Sequence, residues 1–98
     1  MTIVIFRNRL RPEASDAYGA LAPEIAALAQ QQPGFVSMKT FMAADGERVT
    51  IAEFESDEAV AAWRAHPEHR EAQRRGKMEF YSEYQLQVCE VLREKRFP

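Results

Sequence analysis

Metal-binding and redox-active side chains are scarce in this sequence. Cys89 is the only cysteine among 98 residues, and His66 and His69 are the only histidines. A single cysteine cannot form an internal disulfide, and these three residues do not have the paired spacing of a zinc site. We therefore expect neither a disulfide framework nor a bound metal.

Charge of one sign is not in excess either. The chain carries 13 lysines and arginines against 15 aspartates and glutamates, a formal net charge of −2. A local basic cluster (Arg70, Arg74, Arg75 and Lys77) is interpreted as a solvated helix face, and the alternative is that Arg74, Arg75 and Lys77 steer an anionic substrate. Because recognition of a phosphate backbone needs an extended positive field, nucleic acid is not an expected partner.

No apolar run is long enough to span a membrane. The apolar N-terminal stretch covers residues 2–6 and is followed by Arg7 and Arg9. A transmembrane helix needs about 20 apolar residues, and a signal-peptide core is also longer than this stretch. We expect a cytoplasmic protein that makes no membrane contact.

Glycine is limited to four residues, and no glycine-rich nucleotide-binding fingerprint occurs. A nucleotide cofactor is therefore not expected. Hydrophobic residues make up 46% of the chain, which is typical of a globular protein. We predict a single domain over residues 1–98, with a thin core that dimerisation would help to stabilise.

The hydrophobic pattern predicts four strands, over residues 2–10, 35–43, 48–55 and 81–93. The middle two are separated by Asp45-Gly46, a strong tight-turn signal, and so form a hairpin.

Two helical regions are predicted between these strands. The first follows Pro12 and carries an apolar stripe at helical spacing (Ala14, Tyr18, Leu21, Ile25 and Leu28). The second begins after the N-cap Ser56 and is interrupted at Pro67. It resumes from Pro67 to about Arg75, where Gly76 is predicted to close it.

The order strand, helix, strand, strand, helix, strand is that of a ferredoxin-like βαββαβ sandwich. This α+β fold has a four-stranded antiparallel sheet with the helices on one face. Ile3 and Ile5 point to the opposite face from Val4 and Phe6, so neither face of the sheet is purely polar. We therefore predict a homodimer in which two sheets pack face to face.

The only tryptophan and both histidines fall in one helical region. Trp63 is predicted either to stack on a planar substrate ring or to fill the gap between helix and sheet. His69 is the preferred general base, whereas His66 is either catalytic or a helix cap. An aromatic surface beside groups that titrate near neutral pH suits a flat, acidic organic molecule.

Asn8 is the most informative polar residue among the predicted strands. It lies on the apolar side of the first strand, where an unsatisfied amide costs about 1–3 kcal/mol. Its partner is predicted to be a substrate oxygen, or else backbone or water. Tyr81 and Tyr84 are predicted to line the substrate site, with simple core packing as the alternative.

Four segments together resemble a known family. They are residues 48–56, Ala62-Trp63-Arg64, His66-Pro67-Glu68-His69 and Phe80-Tyr81. With the element order, they resemble the antibiotic biosynthesis monooxygenase (ABM) domains, small dimeric α+β barrels that include cofactor-free oxygenases of polyketide aromatics. The resemblance covers nearly the whole chain. It implies a homodimeric monooxygenase acting on a small aromatic, anthrone- or quinol-like substrate without metal or flavin.

The haem-degrading relatives provide a test of the cofactor. They carry an Asn-Arg-Leu segment on the first strand, a tryptophan on the second helix and a haem-ligating histidine ten residues later. Asn8-Arg9-Leu10 and Trp63 match this pattern, but Gln73 stands at the histidine position. An amide is a poor iron ligand, so haem is disfavoured and Gln73 is assigned to substrate binding. His69 precedes Gln73 by one helical turn and would be the substitute ligand.

Two alternatives to the cofactor-free monooxygenase stay open at this point. One is a non-catalytic dimer that binds a small ligand, or whose pocket is filled by its own side chains. The other is a haem-binding or haem-degrading relative. An open cavity that contacts Asn8, Trp63 and a histidine together would favour the enzyme.

Overall fold

The computed structural model describes residues 1–98. The strands are β1 Thr2–Leu10, β2 Phe35–Met42, β3 Arg48–Phe54 and β4 Tyr81–Glu90. The helices are α1 Ser15–Gln30, α2 Asp57–Ala65 and α3 Pro67–Arg75. A 3-10 turn, Pro12–Ala14, leads into α1, and a π turn, Gly76–Phe80, joins α3 to β4. None of the helices combines the length and the hydropathy required to cross a membrane.

The four strands form one antiparallel sheet in the order β2-β3-β1-β4. This order confirms the predicted ferredoxin-like α+β fold. In the register, Phe6 of β1 lies between Thr50 of β3 and Leu86 of β4. Residues of this row point toward the helices, whereas the rows on either side of it point away from them.

The hydrophobic core lies where α1 and α2 pack on β3. It consists of five buried residues (Ala29, Ala52, Phe54, Val60 and Trp63). The helix α2 begins as predicted, since the Ser56 hydroxyl accepts a hydrogen bond of 3.1 Å from the backbone N–H of Ala59. Such a cap is worth about 1 kcal/mol.

The predicted interruption at Pro67 is also present. His66 has an extended backbone (φ −61°, ψ 128°), so α2 ends before it and α3 begins at Pro67. The Nδ1 atom of His66 accepts a hydrogen bond of 3.2 Å from the backbone N–H of Glu68. His66 therefore acts as the N-cap of α3, one of the two roles predicted for it.

The helix α3 ends at Arg75 with Gly76 as its C-cap, as predicted. Gly76 keeps a right-handed helical conformation (φ −57°, ψ −49°), and the chain continues through the π turn into Tyr81. A Cβ atom at position 76 would lie 2.5 Å from Cε2 of Tyr81. The glycine is thus required by the close approach of the Tyr81 ring.

The strand β4 ends at Glu90, before the predicted residue 93.

The sheet face away from the helices is mixed in character. Its centre is apolar and half-buried (Ile3, Ile5, Val49 and Ile51). One end carries ion pairs, with Arg7 2.8 Å from Glu47 and Arg9 bridging Asp45 at 2.8 Å and Glu83 at 2.9 Å. The predicted face-to-face packing would cover this surface.

Candidate active site

A cavity of about 790 Å³ lies between the sheet and the helices. Its walls are mostly apolar and come from all four strands and all three helices. Tyr84, Leu86 and Val88 of β4 line it and are still exposed by 46%, 41% and 39%, so the cavity opens along this edge strand. Its volume is in the range typical of small-molecule sites.

Small side chains on both facing surfaces account for the empty volume. Gly19, Ala22 and Ala26 of α1 face the cavity, and Thr50 and Ala52 face it from β3. Several of the large apolar side chains that could have closed it are exposed elsewhere (Phe41, Met42, Met78 and Phe97). The chain therefore does not fill this pocket with its own side chains.

Trp63 and His69 form a stacked pair in the cavity wall. Their ring centroids are 4.1 Å apart and their planes differ by 10°. The Nδ1 atom of His69 lies 3.1 Å from the backbone oxygen of Trp63. Because a carbonyl oxygen only accepts, Nδ1 carries the hydrogen, and Nε2 of the neutral ring holds the free lone pair.

Burial lowers the pKa of His69 below its ordinary value of 6.5. The hydrogen bond to Trp63 opposes this shift, and the neighbouring His66 and Arg64 add to it. His69 is consequently neutral near pH 7, and its Nε2 atom is able to accept a proton.

Aromatic side chains surround the part of the cavity near the start of β4. The Tyr81 ring lies 5.3 Å from Phe6 and 6.1 Å from Tyr18, measured between centroids, and Tyr84 lies 5.8 Å from Phe6. Burial, followed by the nearby Tyr18, raises the pKa of Tyr81 well above its usual range. The Tyr81 hydroxyl stays protonated at physiological pH and is a permanent hydrogen-bond donor.

A family model for antibiotic biosynthesis monooxygenases matches residues 1–75. The chain belongs to the ABM family. The uncharacterized protein YqjZ of Bacillus subtilis (strain 168) is 34% identical over 94 residues, which are 96% of this chain and 82% of YqjZ.

Solved structures of other proteins share the ABM fold. Rv0793 from Mycobacterium tuberculosis is 24% identical, with a TM-score of 0.85 over 97% of this chain and 98% of its own. A variant of SnoaB, a cofactor-independent oxygenase from Streptomyces nogalater, is 18% identical, with a TM-score of 0.81 over 95% of this chain and 94% of its own.

Five residues predicted for the site of this ABM protein line the same cavity (Trp63, His69, Gln73, Tyr81 and Tyr84). His66 does not line it. Asn8 is 2% exposed and borders a smaller pocket of about 240 Å³, which shares Tyr84 with the large cavity. The large cavity therefore joins Trp63 and one histidine, whereas Asn8 does not line it.

The sequence analysis missed Arg48, which lines the ABM cavity. Its guanidinium carbon lies 4.7 Å from the centroid of the Tyr18 ring, which covers the side chain from α1. The available signal was alternation, because Arg48 is two residues before Thr50 and four before Ala52 and so points to the same face. Arg64 and Lys77 also line the cavity and were not assigned to it.

The side chains of the cavity are poor ligands for a metal ion. No group of three or more His, Cys, Asp and Glu side chains is placed to hold a metal ion. Gln73, at the position of the haem-ligating histidine of related enzymes, faces the cavity with an amide. The side chain at this position does not fit haem iron, because an amide lacks the basic nitrogen of imidazole.

Proposed function

We propose that this ABM protein is a cofactor-independent monooxygenase that oxidises a small aromatic substrate of the anthrone or quinol type. The observation that carries the proposal is the geometry of His69. Its ring is held against Trp63, its Nδ1 hydrogen is occupied by a backbone carbonyl, and its pKa is lowered by burial in a mostly apolar cavity.

The proposed reaction starts with proton transfer. The Nε2 atom of His69 takes a proton from the acidic carbon or hydroxyl of the substrate, which leaves a delocalised anion. This anion reduces dioxygen directly, and a carbon–oxygen bond forms to give a peroxide. The peroxide takes up a proton and collapses to a carbonyl with loss of water. For an anthrone methylene the balance is R₂CH₂ + O₂ → R₂C=O + H₂O, so the substrate supplies all the electrons.

The remaining residues of the cavity are assigned to binding and charge stabilisation. Trp63 holds the ring of His69 in place by stacking on it, and Gln73 supplies an amide hydrogen bond. Tyr81, as a permanent donor, would stabilise the developing oxyanion. The apolar walls exclude water from the peroxide. The fold shared with SnoaB, a cofactor-independent oxygenase, supports this assignment.

The test is oxygen consumption with anthrone as substrate, followed together with the absorbance of the quinone product. We expect His69→Gln to lower kcat by roughly 100-fold, because general-base catalysis typically contributes 10²–10⁴-fold. His66→Asn is the matched control, since asparagine is an effective N-cap and His66 does not line the cavity. Binding of anthrone without oxygen uptake above the spontaneous rate would identify a non-catalytic ligand-binding protein instead.

We also propose that no haem takes part. A titration with haemin should then give no saturable, stoichiometric shift of the Soret band. A specific shift that is lost in His69→Ala would assign iron ligation to His69 and contradict the cofactor-free reaction.

We further propose that the protein acts as a homodimer through the sheet face away from the helices. Support comes from the apolar centre of that face, where Ile5 and Ile51 are cross-strand neighbours. A domain of this size gains stability when such a surface is covered.

A further inference from the structure

The charge around the cavity is one-sided. Three cationic side chains line it (Arg48, Arg64 and Lys77), whereas no aspartate or glutamate does. This distribution is opposite to that of the whole chain, in which acidic residues outnumber basic ones by 15 to 13. A low-dielectric cavity with cations only has a positive potential and favours an anionic ligand.

Arg48 forms no hydrogen bond and no ion pair, although its guanidinium packs on the Tyr18 ring. Its Nε atom is buried without a hydrogen bond, and none of the ion pairs includes it. Five other arginines each pair with a carboxylate (Arg7, Arg9, Arg74, Arg75 and Arg96). Since a guanidinium that lines a cavity without an ion-pair partner is a ready site for an anion, we expect its partner to come from a ligand.

A second unpartnered group lies next to Arg48 in the sheet. Asn8 pairs in register with Arg48 on one side and with Tyr84 on the other. Asn8 is 2% exposed, and neither its Oδ1 nor its Nδ2 atom has a hydrogen-bond partner. One row across the sheet therefore holds a guanidinium, an amide and a phenol hydroxyl, of which the guanidinium and the phenol line the cavity and are able to donate to an anion there.

This polar row is displaced along β3 from the stacked pair of Trp63 and His69. Trp63 packs in the core cluster with Ala52, which is four residues after Arg48. At about 3.3 Å per residue, the two positions on β3 are separated by roughly 13 Å. A ligand of two or three fused rings that contacts Trp63 would thus reach Arg48 with a substituent at its far end.

We propose that Arg48, with Tyr84, forms an anion subsite, and that the substrate is an aromatic carboxylic acid. The carboxylate binds the guanidinium, whose planar fork matches its two oxygens, and the ring system lies toward Trp63 and His69. The identification of this ligand as the substrate rests on the proposed monooxygenase function. The preference of the cavity for an aromatic carboxylate does not depend on turnover.

The test compares an anthraquinone carboxylate with the corresponding carboxamide, which differs in charge but hardly in shape. Binding is followed by quenching of Trp63, the only tryptophan of the chain and part of the cavity wall. We expect the carboxylate to bind at least about ten-fold more tightly than the carboxamide, as is typical of a charge-assisted bond. Arg48→Gln should remove this preference and leave carboxamide binding within about three-fold.

Two further variants keep the test interpretable. Arg48→Lys retains the charge and should keep part of the preference. Arg74→Gln removes the same charge from an exposed position on α3, where Arg74 pairs with Glu71, and should bind both probes like the wild type. Thermal unfolding of each variant verifies that it is folded.

Equal affinities for the two probes in the wild type, or a preference that persists in Arg48→Gln, would overturn the anion subsite. Absence of quenching by either probe would overturn it as well. If the carboxylate preference is found but a hydroxylated aromatic acid causes no oxygen uptake, the monooxygenase function fails while the subsite stands.

Discussion

Asn8 lies on the central strand with both polar atoms of its side chain buried and unpartnered. A buried amide in this state costs about 1–3 kcal/mol of folding free energy. Natural proteins accept such costs mainly where a residue serves binding or catalysis. The sequence indicated the burial of Asn8 through its position among apolar neighbours, but only the three-dimensional register shows that Arg48 and Tyr84 flank it.

Replacing Asn8 by leucine should therefore stabilise the protein. We expect Asn8→Leu to raise the free energy of unfolding by about 1–2 kcal/mol, because an apolar group of similar volume replaces an unsatisfied amide. Urea unfolding measures this change. The control is Asn8→Ala, which removes the same amide but leaves its volume empty and should be less stable than Asn8→Leu. A loss of stability in Asn8→Leu would mean that the amide is hydrogen-bonded in solution.

The lowered pKa of His69 predicts the direction of the pH dependence. Because Nε2 must be unprotonated to act as a base, the acidic limb of kcat/KM should fall below pH 6.5, the ordinary histidine value. In unfolded chains His69 binds its proton at a higher pH than in the folded protein. Its neutral form thus contributes full stability above about pH 6.5, and this contribution decreases as the pH falls below that value.

Both effects are measurable on one pair of proteins. The pH profile of kcat/KM for the wild type gives the acidic limb. Denaturant unfolding between pH 5 and pH 7 should show a steeper loss of stability in the wild type than in His69→Gln, in which residue 69 no longer titrates. A limb above pH 6.5 would contradict the assignment of His69 as the buried base.

At the scale of elements, the junction between α3 and β4 depends on a glycine without unusual backbone angles. Gly76 has helical backbone angles, which alanine adopts as readily as glycine. The added Cβ would nevertheless lie 2.5 Å from the Tyr81 ring. We expect Gly76→Ala to destabilise the protein by about 1–3 kcal/mol, a typical cost of overpacking.

Gly19→Ala is the matched control for this steric effect. Gly19 lies in α1, and a Cβ there would meet no atom within 4 Å. The same chemical change should therefore increase stability by about 0.5–1 kcal/mol through helix propensity. Thermal unfolding of both variants measures the difference. Equal shifts in Tm would show that Tyr81 moves aside without cost.

The boundaries of the elements were predictable where local chemistry determines them. The Ser56 cap, the interruption at Pro67 and the Asp45-Gly46 turn each follow from side-chain or backbone preferences of a few residues. The π turn after Arg75 was not predictable, because Gly76 is usually read as a helix terminator. The role of Gly76 is to leave room for the Tyr81 ring. This is a tertiary contact, which local sequence preferences do not determine.

For the whole molecule, the site residues that were predicted are those marked by their residue type, and those that were missed depend on tertiary contacts. Trp63, His69 and Gln73 were assigned because rare or family-specific residue types marked them. The cavity itself was not predictable, since it results from small residues on α1 facing small residues on β3. Arg48 was missed because its significance lies in the absence of a hydrogen bond and an ion pair, which is a property of the folded structure alone.

The proposed dimer provides a test at this scale. We expect Ile5→Glu to convert a dimer into a monomer, because it places charges in the apolar centre of the outward sheet face. Size-exclusion chromatography with light scattering measures the mass. Met78→Glu, at a position exposed by 63% in the π turn, is the control and should leave the mass unchanged. A monomeric wild type would contradict the dimer.

The direct connection from α3 through the π turn to β4 has a mechanical consequence. His69 and Gln73 on α3 form one wall of the cavity, and Tyr81 and Tyr84 on β4 form another. No loop separates the two elements, so there is no slack that would let one wall move while the other stays fixed. Opening of the cavity should be a concerted motion, in which the amide hydrogens of α3 and of the first half of β4 exchange with deuterium at correlated rates.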